Sequence, residues 1–355
     1  MFRLPFFAGR GVLMMRIAVL AGGNSTERAV SLCSGARIAN ALRRNGHEVL
    51  LLDLSGNAME MPEEPALLFT RKQEKEFSIS EILSGNDALQ SQQALGEDTV
   101  ALCRMADCAF LALHGGMGED GTVQSILDAH QIPYTGSGAL GSALAMDKDI
   151  AKRLFCQCGI PTPDWTLYDA QEKSFSRPPE EIGFPCVVKP ANGGSSIGVW
   201  FVNDQAELDA ALERVSAMCR YSLVEKKIMG RELTIGVLGK RTLPAVEIRP
   251  VSGFYNYANK YNGSSEEICP AQLSASLANA LSDYALRAFS ALRLQVYARF
   301  DFLLDDCRRL WCLEANTLPG MTPTSLFPME AATVGISYDA LCELLLQLSV
   351  KRGKC

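Results

Sequence analysis

The chain lacks several patterns that would assign it to a protein class at once. Its 12 cysteines stand at irregular spacings, and no two of them form a C-x-x-C pair. A zinc site is therefore not expected, and we predict buried free thiols in a reducing cytosol. The G-K-[ST] ending of a P-loop is also missing. Histidine is scarce: His47 and His130 are predicted to be surface residues at helix ends, which leaves His114 as a candidate.

Long apolar runs and clusters of positive charge are missing as well. No apolar run is long enough to span a bilayer, and the basic residues are scattered along a chain of net charge −6. We therefore predict a cytoplasmic protein with no nucleic-acid partner and no membrane partner. The first residues faintly resemble a signal peptide, but Arg10 interrupts their apolar stretch. Residues 1–14 are therefore predicted to be a disordered extension, or the result of a start codon assigned too early, with Met14 or Met15 as the true initiator.

What is present is an ordinary globular composition with an alternating α/β pattern. The 355 residues are 48% hydrophobic and 21% charged, and this length predicts two or three subdomains. A strand over 16–23, a helix over 26–45 and a strand over 48–53 predict a parallel sheet. Residues 55–98 are polar and weakly periodic, which indicates a peripheral insertion. Another buried strand is predicted over 107–113.

The pattern changes near Pro161 to shorter strands mixed with helices. A single long helix that contains Lys148 precedes the change. Further strands are predicted over 186–190, 197–202, 222–226 and 232–239, and helices over 207–218, over 273–292 and from Tyr338 onward. The predicted domains are therefore 15–147, 148–240 and 241–355.

Two later strands carry oxygen-bearing side chains that suit a metal ion. Asp301 follows Arg299, and Glu314 and Asn316 stand at the end of the next predicted strand. Mg²⁺ accepts carboxylate and amide oxygens and shares the rest of its shell with phosphates. Gly320 and the hydroxyl residues after it can hold a small anion beside such an ion. The pattern indicates phosphoryl transfer from a nucleotide to a carboxylate.

Four loops are candidates for ligand binding, and each has a plainer alternative. Segment 191–198 follows Lys189 and is either a hairpin that grips phosphate or an ordinary turn. His114, in a glycine-rich loop after a strand, is either functional or makes a loop hydrogen bond. The turn 22–28 binds a ligand or caps a helix, and it is not the G-x-G-x-x-G fingerprint of dinucleotide-binding proteins. Loop 253–267 is a mobile lid or a surface loop.

Taken in order, the motifs cover roughly residues 15–350. They are AGGNSTER, LHGGMGEDG, PYTGSG, MDK, VVKP with GGSSIG, VEK with GRELT, FYNYANKY, RFD and LEANTLPGMTPTSL. This ordered set resembles the D-alanine–D-alanine ligase family of the ATP-grasp superfamily. The resemblance implies an α/β fold in which an N-terminal Rossmann-like parallel-sheet domain precedes a two-subdomain ATP-grasp fold.

The resemblance also implies roles for individual residues. Those implied in ATP binding are Lys148, Lys189, Glu225, Lys226, Ile228, Glu232 and Lys260. Those implied in catalysis are Glu27, Ser195, Tyr261, Arg299 and Gly320, and those implied in substrate binding are His114, Ser325 and Leu326. Asp301, Glu314 and Asn316 would hold two Mg²⁺ or Mn²⁺ ions. Glu27 would bind the ammonium of the first D-alanine, and Arg299 would stabilise a tetrahedral intermediate.

The implied reaction joins two D-alanines at the expense of ATP, through an acyl phosphate, for peptidoglycan precursor synthesis. The implied partners are ATP, D-alanine and a second copy of the chain in a homodimer. One rival is a related carboxylate–amine ligase for another amino acid, which Glu27, Tyr261 and Ser325 argue against. The other rival is a non-catalytic ATP-binding protein, which would be expected to have lost a metal ligand, Arg299 or a phosphate lysine.

Overall fold

The computed structural model describes residues 13–54, 64–70, 95–194, 197–250 and 265–352. Of the predicted site residues, Ser195, Lys260 and Tyr261 lie outside these ranges, as does most of the predicted 55–98 insertion. The chain divides into two compact units. The first unit contains residues 1–140, 294–298 and 317–355, and the second unit contains residues 141–293 and 299–316.

Helices and strands alternate along the first part of the chain, as the sequence pattern predicts. The strands are β1 (Arg16–Ala21), β2 (Glu48–Asp53), β3 (Cys108–Leu111), β4 (Trp165–Asp169), β5 (Ser174–Phe175), β6 (Cys186–Pro190), β7 (Trp200–Val202), β8 (Tyr221–Lys226), β9 (Arg231–Leu238), β10 (Arg241–Thr242), β11 (Val246–Pro250), β12 (Ser265–Ile268), β13 (Tyr297–Leu304) and β14 (Leu310–Asn316). The helices are α1 (Arg28–Arg44), α2 (Leu67–Thr70), α3 (Glu97–Arg104), α4 (Thr122–Ala129), α5 (Ala139–Met146), α6 (Lys148–Gln157), α7 (Gln205–Ser216), α8 (Ala275–Ala291), α9 (Leu326–Thr333) and α10 (Tyr338–Arg352).

The first unit is built on a parallel sheet in the order β2-β1-β3. The central strand β1 is apolar after Arg16, and its side chains from Ile17 to Ala21 are fully buried. Continuous burial of this kind is typical of parallel strands that are covered on both faces. The predicted parallel sheet is therefore confirmed.

Two sheets lie in the described part of the second unit. The first is a five-stranded antiparallel sheet in the order β5-β4-β8-β6-β7. Helix α7 covers it, and Val188, Val202 and Val224 pack with Leu208 and Val215 in one buried cluster. Alternating strand residues and one helix face together form this core.

The second sheet of this unit carries the predicted metal ligands. Its order is β12-β11-β9-β13-β14, with β10 beside β9. The predicted domain boundary at residue 240 falls between β9 and β10, which are paired strands of this one sheet. Residues 265–267, predicted as the end of the lid loop, belong to strand β12.

The prediction of one long helix around Lys148 is wrong. Helix α5 ends at Met146 and α6 begins at Lys148. Asp147 between them is extended, and its carboxylate accepts a hydrogen bond from the backbone N–H of Ile150 at 3.1 Å. The side chain therefore caps the N-terminus of α6, which starts a new helix at the first lysine of the predicted ATP site.

The prediction that His47 lies at the surface is also wrong. Its side chain is fully buried, and its Nε2 lies 2.8 Å from Glu343 Oε2 on α10. The backbone N–H of Met15 donates to His47 Nδ1 at 3.3 Å. The C-terminal helix covers this histidine, and local sequence around Gly46 gives no sign of that contact.

Two further observations concern membranes and thiols. Within the described ranges no single helix has the length and apolar character to cross a bilayer, although the sharply bent pair Leu326–Thr333 and Tyr338–Lys351 meets both criteria together. The cysteines in the described part of the chain form no disulfide, and Cys156 and Cys307 are exposed rather than buried.

Candidate active site

The predicted metal ligands lie on adjacent antiparallel strands of the second unit. Asp301 on β13 stands opposite Glu314 on β14, and Arg299 stands opposite Asn316. Residues two apart on a strand point to the same face, and directly opposite residues share that face. The predicted neighbouring strands are confirmed, and they gather two carboxylates, one amide and one guanidinium into a small area.

Most polar groups of this cluster already have partners. Arg299 donates from Nε and Nη2 to the two oxygens of Asp301, at 3.0 and 2.9 Å. The hydroxyl of Thr234 donates to Asp301 Oδ1 at 2.6 Å. The ammonium of Lys148 lies 3.4 Å from Glu314 Oε2. These contacts hold both carboxylates in place on the sheet.

Asn316 is the exception among the described residues of this cluster, because its Oδ1 is buried and accepts no hydrogen bond from the described part of the chain. A buried amide oxygen without a donor costs free energy and suits a cation that can coordinate it. The described residues contain no group of three His, Cys, Asp or Glu side chains that could hold a metal. Two carboxylates with this amide are nonetheless a hard oxygen set of the kind that Mg²⁺ takes.

Lys148 joins this cluster to the glycine–serine segment. Its backbone N–H donates to the carbonyl of Ala191 at 2.9 Å, and its ammonium donates to the carbonyl of Gly193. The backbones of Asp147 and Asn192 pair in a single antiparallel β-bridge beside these contacts. The lysine at the start of α6 is therefore fixed against the loop that the sequence predicts to grip phosphate.

Lys189, the second predicted phosphate lysine, belongs to a buried network of three charges. Its ammonium lies 2.6 Å from Glu225 Oε1, and the ammonium of Lys152 donates to Glu225 Oε2 at 2.9 Å. Lys152 also donates to the hydroxyl of Thr162 at 2.8 Å. One carboxylate is thus shared by two lysines, and the network carries a net positive charge.

Burial and charge pairing act in opposite directions on this network. Burial favours the neutral form of Glu225, but Lys152 and Lys189 outweigh it and lower the pKa of Glu225 to about 2. Burial lowers the pKa of Lys152 despite the pull of Glu225. For Lys189, Glu225 and Glu314 overcome the effect of burial, so its pKa is raised. The ion-paired carboxylate holds Lys189 charged.

The predicted adenine and ribose contacts lie where β8 ends and β9 begins. Lys226 is exposed and ends β8, and its backbone N–H donates to the carbonyl of Asp164 at 2.8 Å. Ile228 follows in the connection, and Glu232 is the second residue of β9. The Lys226 N–H is already used in the sheet, so a base at this edge would bond to other backbone groups or to side chains.

In the first unit, a pocket lies at the carboxyl end of the parallel sheet. It is lined by Gly22, Gly23, Asn24, Ser25, Leu54, Leu113, His114, Gly115, Met117, Gly118 and Val123. Gly22 has φ of +73°, and a Cβ there would stand 2.0 Å from Asp53 Oδ1. Asp53, in turn, is bound by Arg28 through two hydrogen bonds of 2.6 Å. Only glycine fits this turn.

His114 and Glu27 lie at this pocket end of the sheet. His114 is buried; its Nε2 lies 3.3 Å from the hydroxyl of Ser34, and its carbonyl accepts from Ser25 at 2.6 Å. Glu27 precedes helix α1, and a Cβ placed on Gly115 would be 3.3 Å from its Oε2. The structure therefore brings both predicted substrate residues to the same loop.

The segment that follows β14 in the chain is tied to the same loop within the first unit. Ser34 accepts from the N–H of Met321 at 3.2 Å. The carboxylate of Glu119 accepts from Gly115 N–H at 2.7 Å and from Leu318 N–H at 3.3 Å. These bonds bridge the glycine-rich loop to the segment that carries Gly320, Ser325 and Leu326.

Gly320, Ser325 and Leu326 form a compact turn at the start of α9. The hydroxyl of Ser325 accepts from Thr322 N–H at 2.8 Å, and a Cβ on Gly320 would stand 2.8 Å from that hydroxyl. Leu326 is buried and opens the helix. The helix N-terminus offers backbone N–H groups that favour a carboxylate.

Sequence reasoning missed several residues of these networks: Ser34, Glu119, Lys152 and Thr234. Lys152 left a weak signal, because it stands four residues after Lys148 and such residues share one face of a helix. The other three are common polar residues whose partners come from distant parts of the chain. Their spacing alone did not single them out.

Comparisons with known proteins agree with this geometry. The family model described as D-ala D-ala ligase N-terminus matches residues 16–137, and the model described as D-ala D-ala ligase C-terminus matches residues 154–347. A D-alanine–D-alanine ligase of Oleidesulfovibrio alaskensis is 41% identical over 338 residues, which cover 95% of this chain and 97% of the relative. The ligase of Pediococcus pentosaceus is 39% identical over 342 residues, covering 94% and 97%.

Solved structures give the same result. The D-alanine–D-alanine ligase of Bacillus anthracis superposes with a TM-score of 0.75 at 34% identity and covers 96% of this chain and 99% of its own. The same ligase complexed with ATP superposes with a TM-score of 0.73 at 32% identity, with 96% and 98% covered. The chain is therefore similar to the same enzymes in both its fold and its sequence.

Proposed function

Because the chain belongs to the D-alanine–D-alanine ligase family, we propose that it joins two molecules of D-alanine in a reaction driven by the cleavage of ATP. The products are D-alanyl-D-alanine, ADP and phosphate. The dipeptide would serve peptidoglycan precursor synthesis. The observation that carries the proposal is the β13–β14 cluster, where two carboxylates and a buried amide oxygen without a donor among the described residues stand beside Arg299.

ATP would lie against the second unit. Lys148 and Lys189 supply cations for its phosphates, and the backbone around Lys226 and Ile228 would meet the adenine. Glu232 would accept from a ribose hydroxyl, and Lys260 of the predicted lid would reach the terminal phosphate. The Bacillus anthracis ligase whose structure was solved with ATP covers 96% of this chain, which supports ATP as the nucleotide.

Asp301, Glu314 and Asn316 would hold two Mg²⁺ ions, and the hard oxygen set supports that assignment. Bound Mg²⁺ neutralises charge on the transferred phosphoryl group. Lys148 and Arg299, which contact Glu314 and Asp301, limit the repulsion between the carboxylates and orient them. The positive charge of Lys148 and Arg299 is needed because the carboxylates of Asp301 and Glu314 stand directly opposite each other and repel.

In the first step, a carboxylate oxygen of D-alanine attacks the terminal phosphorus of ATP, and ADP leaves. The lysines stabilise the negative charge on the transferred group. Glu27 would bind the ammonium of this D-alanine, with Ser195 and Tyr261 closing over it and His114 lining the pocket. The product of the step is an acyl phosphate, whose carbon is open to attack by an amine.

In the second step, the amine of the second D-alanine attacks the acyl carbon. Arg299 would stabilise the oxyanion of the tetrahedral intermediate, and the resemblance gives the same role to the backbone N–H of Gly320. Removal of one such donor typically costs about 3–4 kcal/mol of transition-state stabilisation. Ser325 and Leu326 at the start of α9 would hold the carboxylate of the second substrate. Phosphate then leaves and the dipeptide forms.

We further propose that the protein acts in the cytoplasm as a homodimer, since both ATP and the amino-acid substrates are small soluble molecules and a homodimer is typical of the resembled family.

A direct test of the function is to measure ADP formation with MgATP and D-alanine, L-alanine or D-alanine plus D-lactate. Mass spectrometry identifies the products. We expect turnover only with D-alanine present and only the D-alanine dipeptide as product. Nucleotide binding without turnover would overturn the proposal in favour of a regulatory protein.

A further inference from the structure

Lys152 is a charged side chain in a fully enclosed position. It is 0% exposed, and it stands one helical turn after Lys148 on α6. Its ammonium donates to Glu225 at 2.9 Å and to the Thr162 hydroxyl at 2.8 Å, and it lies 5.0 Å from the centre of the Trp165 ring. Buried lysines are rare and are paired where they occur, so this position needs an explanation.

Its partner, Glu225, is shared with Lys189. One carboxylate oxygen faces each lysine, at 2.6 Å from Lys189 and 2.9 Å from Lys152. The two lysines differ in their surroundings. Lys152 is enclosed and additionally bound by Thr162, and its side chain has no accessible surface, whereas 9% of the Lys189 side chain is accessible. Lys189 is therefore the lysine that a ligand can reach.

This difference matters when a nucleotide binds. If Lys189 turns its ammonium toward a phosphate, Glu225 loses one of its two partners. A buried carboxylate without a cation is strongly unfavourable. Lys152 cannot follow Lys189, because it is enclosed, and so it continues to balance the charge of Glu225.

We propose that Lys152 is a positioning residue that holds Glu225 and keeps its charge balanced, so that Lys189 can exchange this carboxylate for a phosphate of ATP. The inference rests on the proposed ATP site. It assigns to Lys152 no contact with substrate; the residue acts through Glu225. Without Lys152, Lys189 would be retained by Glu225, and ATP would have to compete with a buried ion pair for this ammonium.

The test is a double-mutant cycle with ATP binding as its readout. Lys152→Met removes the enclosed cation, and Glu225→Gln removes the charge that needs it. We measure the Kd of MgATP by calorimetry, and KM for ATP and for D-alanine, in the wild type, both single variants and the double variant. Lys152→Met is expected to weaken ATP binding by about tenfold, and by less than about twofold in the Glu225→Gln background.

Three controls separate this role from a general structural one. Lys240→Met removes an exposed lysine of the same unit and is expected to leave both KM values unchanged. Lys152→Arg keeps the cation and is expected to restore most of the ATP affinity. The KM for D-alanine should change less than that for ATP in Lys152→Met. If circular dichroism shows that Lys152→Met is unfolded, Lys152→Gln, which keeps a donor for Glu225, replaces it.

Two results would overturn the proposal. One is an unchanged Kd for ATP in folded Lys152→Met. The other is an equal loss of affinity in the wild-type and Glu225→Gln backgrounds, because the effect would then not pass through this carboxylate. The wild-type assay with D-alanine is a separate measurement. A wild type that binds ATP without turnover would refute the proposed ligase function while the cycle still measures the role of Lys152.

Discussion

Asn316 provides the most direct structural indication of metal binding. Its buried Oδ1 has no hydrogen-bond donor among the described residues, so Asn316→Leu removes an unfavourable group from the metal-free protein. We expect this variant to be at least as stable as wild type without ligands, with a gain of up to about 1–3 kcal/mol. We also expect the apparent affinity for Mg²⁺ to fall by about 10- to 100-fold, which lowers the activity and the thermal stabilisation by MgATP at a given Mg²⁺ concentration.

The matched control is Asn279→Leu, an exposed amide on helix α8 of the same unit. Thermal unfolding is followed with and without MgATP, and ADP formation is titrated with Mg²⁺. The control should change neither the Mg²⁺ titration nor the nucleotide-dependent stabilisation. A large loss of ligand-free stability in Asn316→Leu with normal Mg²⁺ dependence would mean that the amide is structural.

The lowered pKa of Glu225 predicts that the folding stability depends on pH with a definite sign. Its pKa is lowered from 4.5 to about 2 by the two lysines, so its ionised form stabilises the fold. This contribution is complete above the unfolded value and is lost as the pH falls from about 4.5 toward 2. The stability gap between wild type and Glu225→Gln should therefore be widest above pH 4.5 and should close on acidification.

Chemical denaturation at a series of pH values measures this gap. Glu180→Gln, a change at an exposed carboxylate, serves as the control and should show only a small gap across the same range. A wild-type to Glu225→Gln gap that stays constant down to pH 2 would contradict the paired, ionised state of Glu225.

Helix α6 connects local capping to the proposed ATP site. Asp147 caps its first turn through Ile150 N–H, and Lys148 is its first residue. Asp147→Ala is expected to cost about 1 kcal/mol of stability. Because it also loosens the start of the helix that carries Lys148, we expect KM for ATP to rise several-fold. Thermal unfolding and steady-state kinetics measure the two effects.

Helix α7 provides a closely matched control. Asp204 caps it in the same way, with its carboxylate accepting from Glu207 N–H at 2.9 Å. Asp204→Ala should lose a similar stability but leave KM for ATP unchanged, and Asp147→Ser should restore both properties at the other helix. Equal KM values in the two alanine variants would show that the capping of α6 does not position Lys148.

The elements show what sequence can and cannot predict. Periodicity and glycine stops predicted β1, α1 and β2 closely, because each is decided by local residues and simple burial. The break between α5 and α6 was missed, since an aspartate inside an apolar helical pattern does not reveal whether its side chain caps a turn. Lys152 was missed because most helical lysines are solvated, and only tertiary contacts with Glu225 and Thr162 show otherwise.

At the scale of the whole molecule, the first unit depends on contacts between its two ends in sequence. His47, directly before β2, is buried against Glu343 of α10 at 2.8 Å, and Arg44 meets Asp339 of the same helix in an exposed pair at 2.8 Å. We expect Glu343→Ala to cost about 2–3 kcal/mol, because it leaves a buried polar group without its partner. Asp339→Ala should cost less than about 1 kcal/mol.

Denaturant unfolding of both variants compares the two pairs on one helix. A similar small loss in each would show that the burial of His47 carries no energetic weight. The pairing also explains why His47 was predicted at the surface. Helix α10 brings the covering residue from the far end of the chain, and a single sequence without an alignment does not reveal such a contact. The ordered motifs, by contrast, predicted the family because many short matches occur in one order.

The reaction path of the proposed ligase is tested most directly by following the oxygen atoms. The protein is supplied with MgATP and D-alanine whose carboxylate carries heavy oxygen, and the released phosphate is examined by mass spectrometry. If the carboxylate attacks the terminal phosphorus, one labelled oxygen leaves with the phosphate when the amine displaces it. We therefore expect singly labelled phosphate in step with labelled D-alanyl-D-alanine. Dipeptide formed with unlabelled phosphate would contradict the acyl-phosphate path, and labelled L-alanine should release no labelled phosphate.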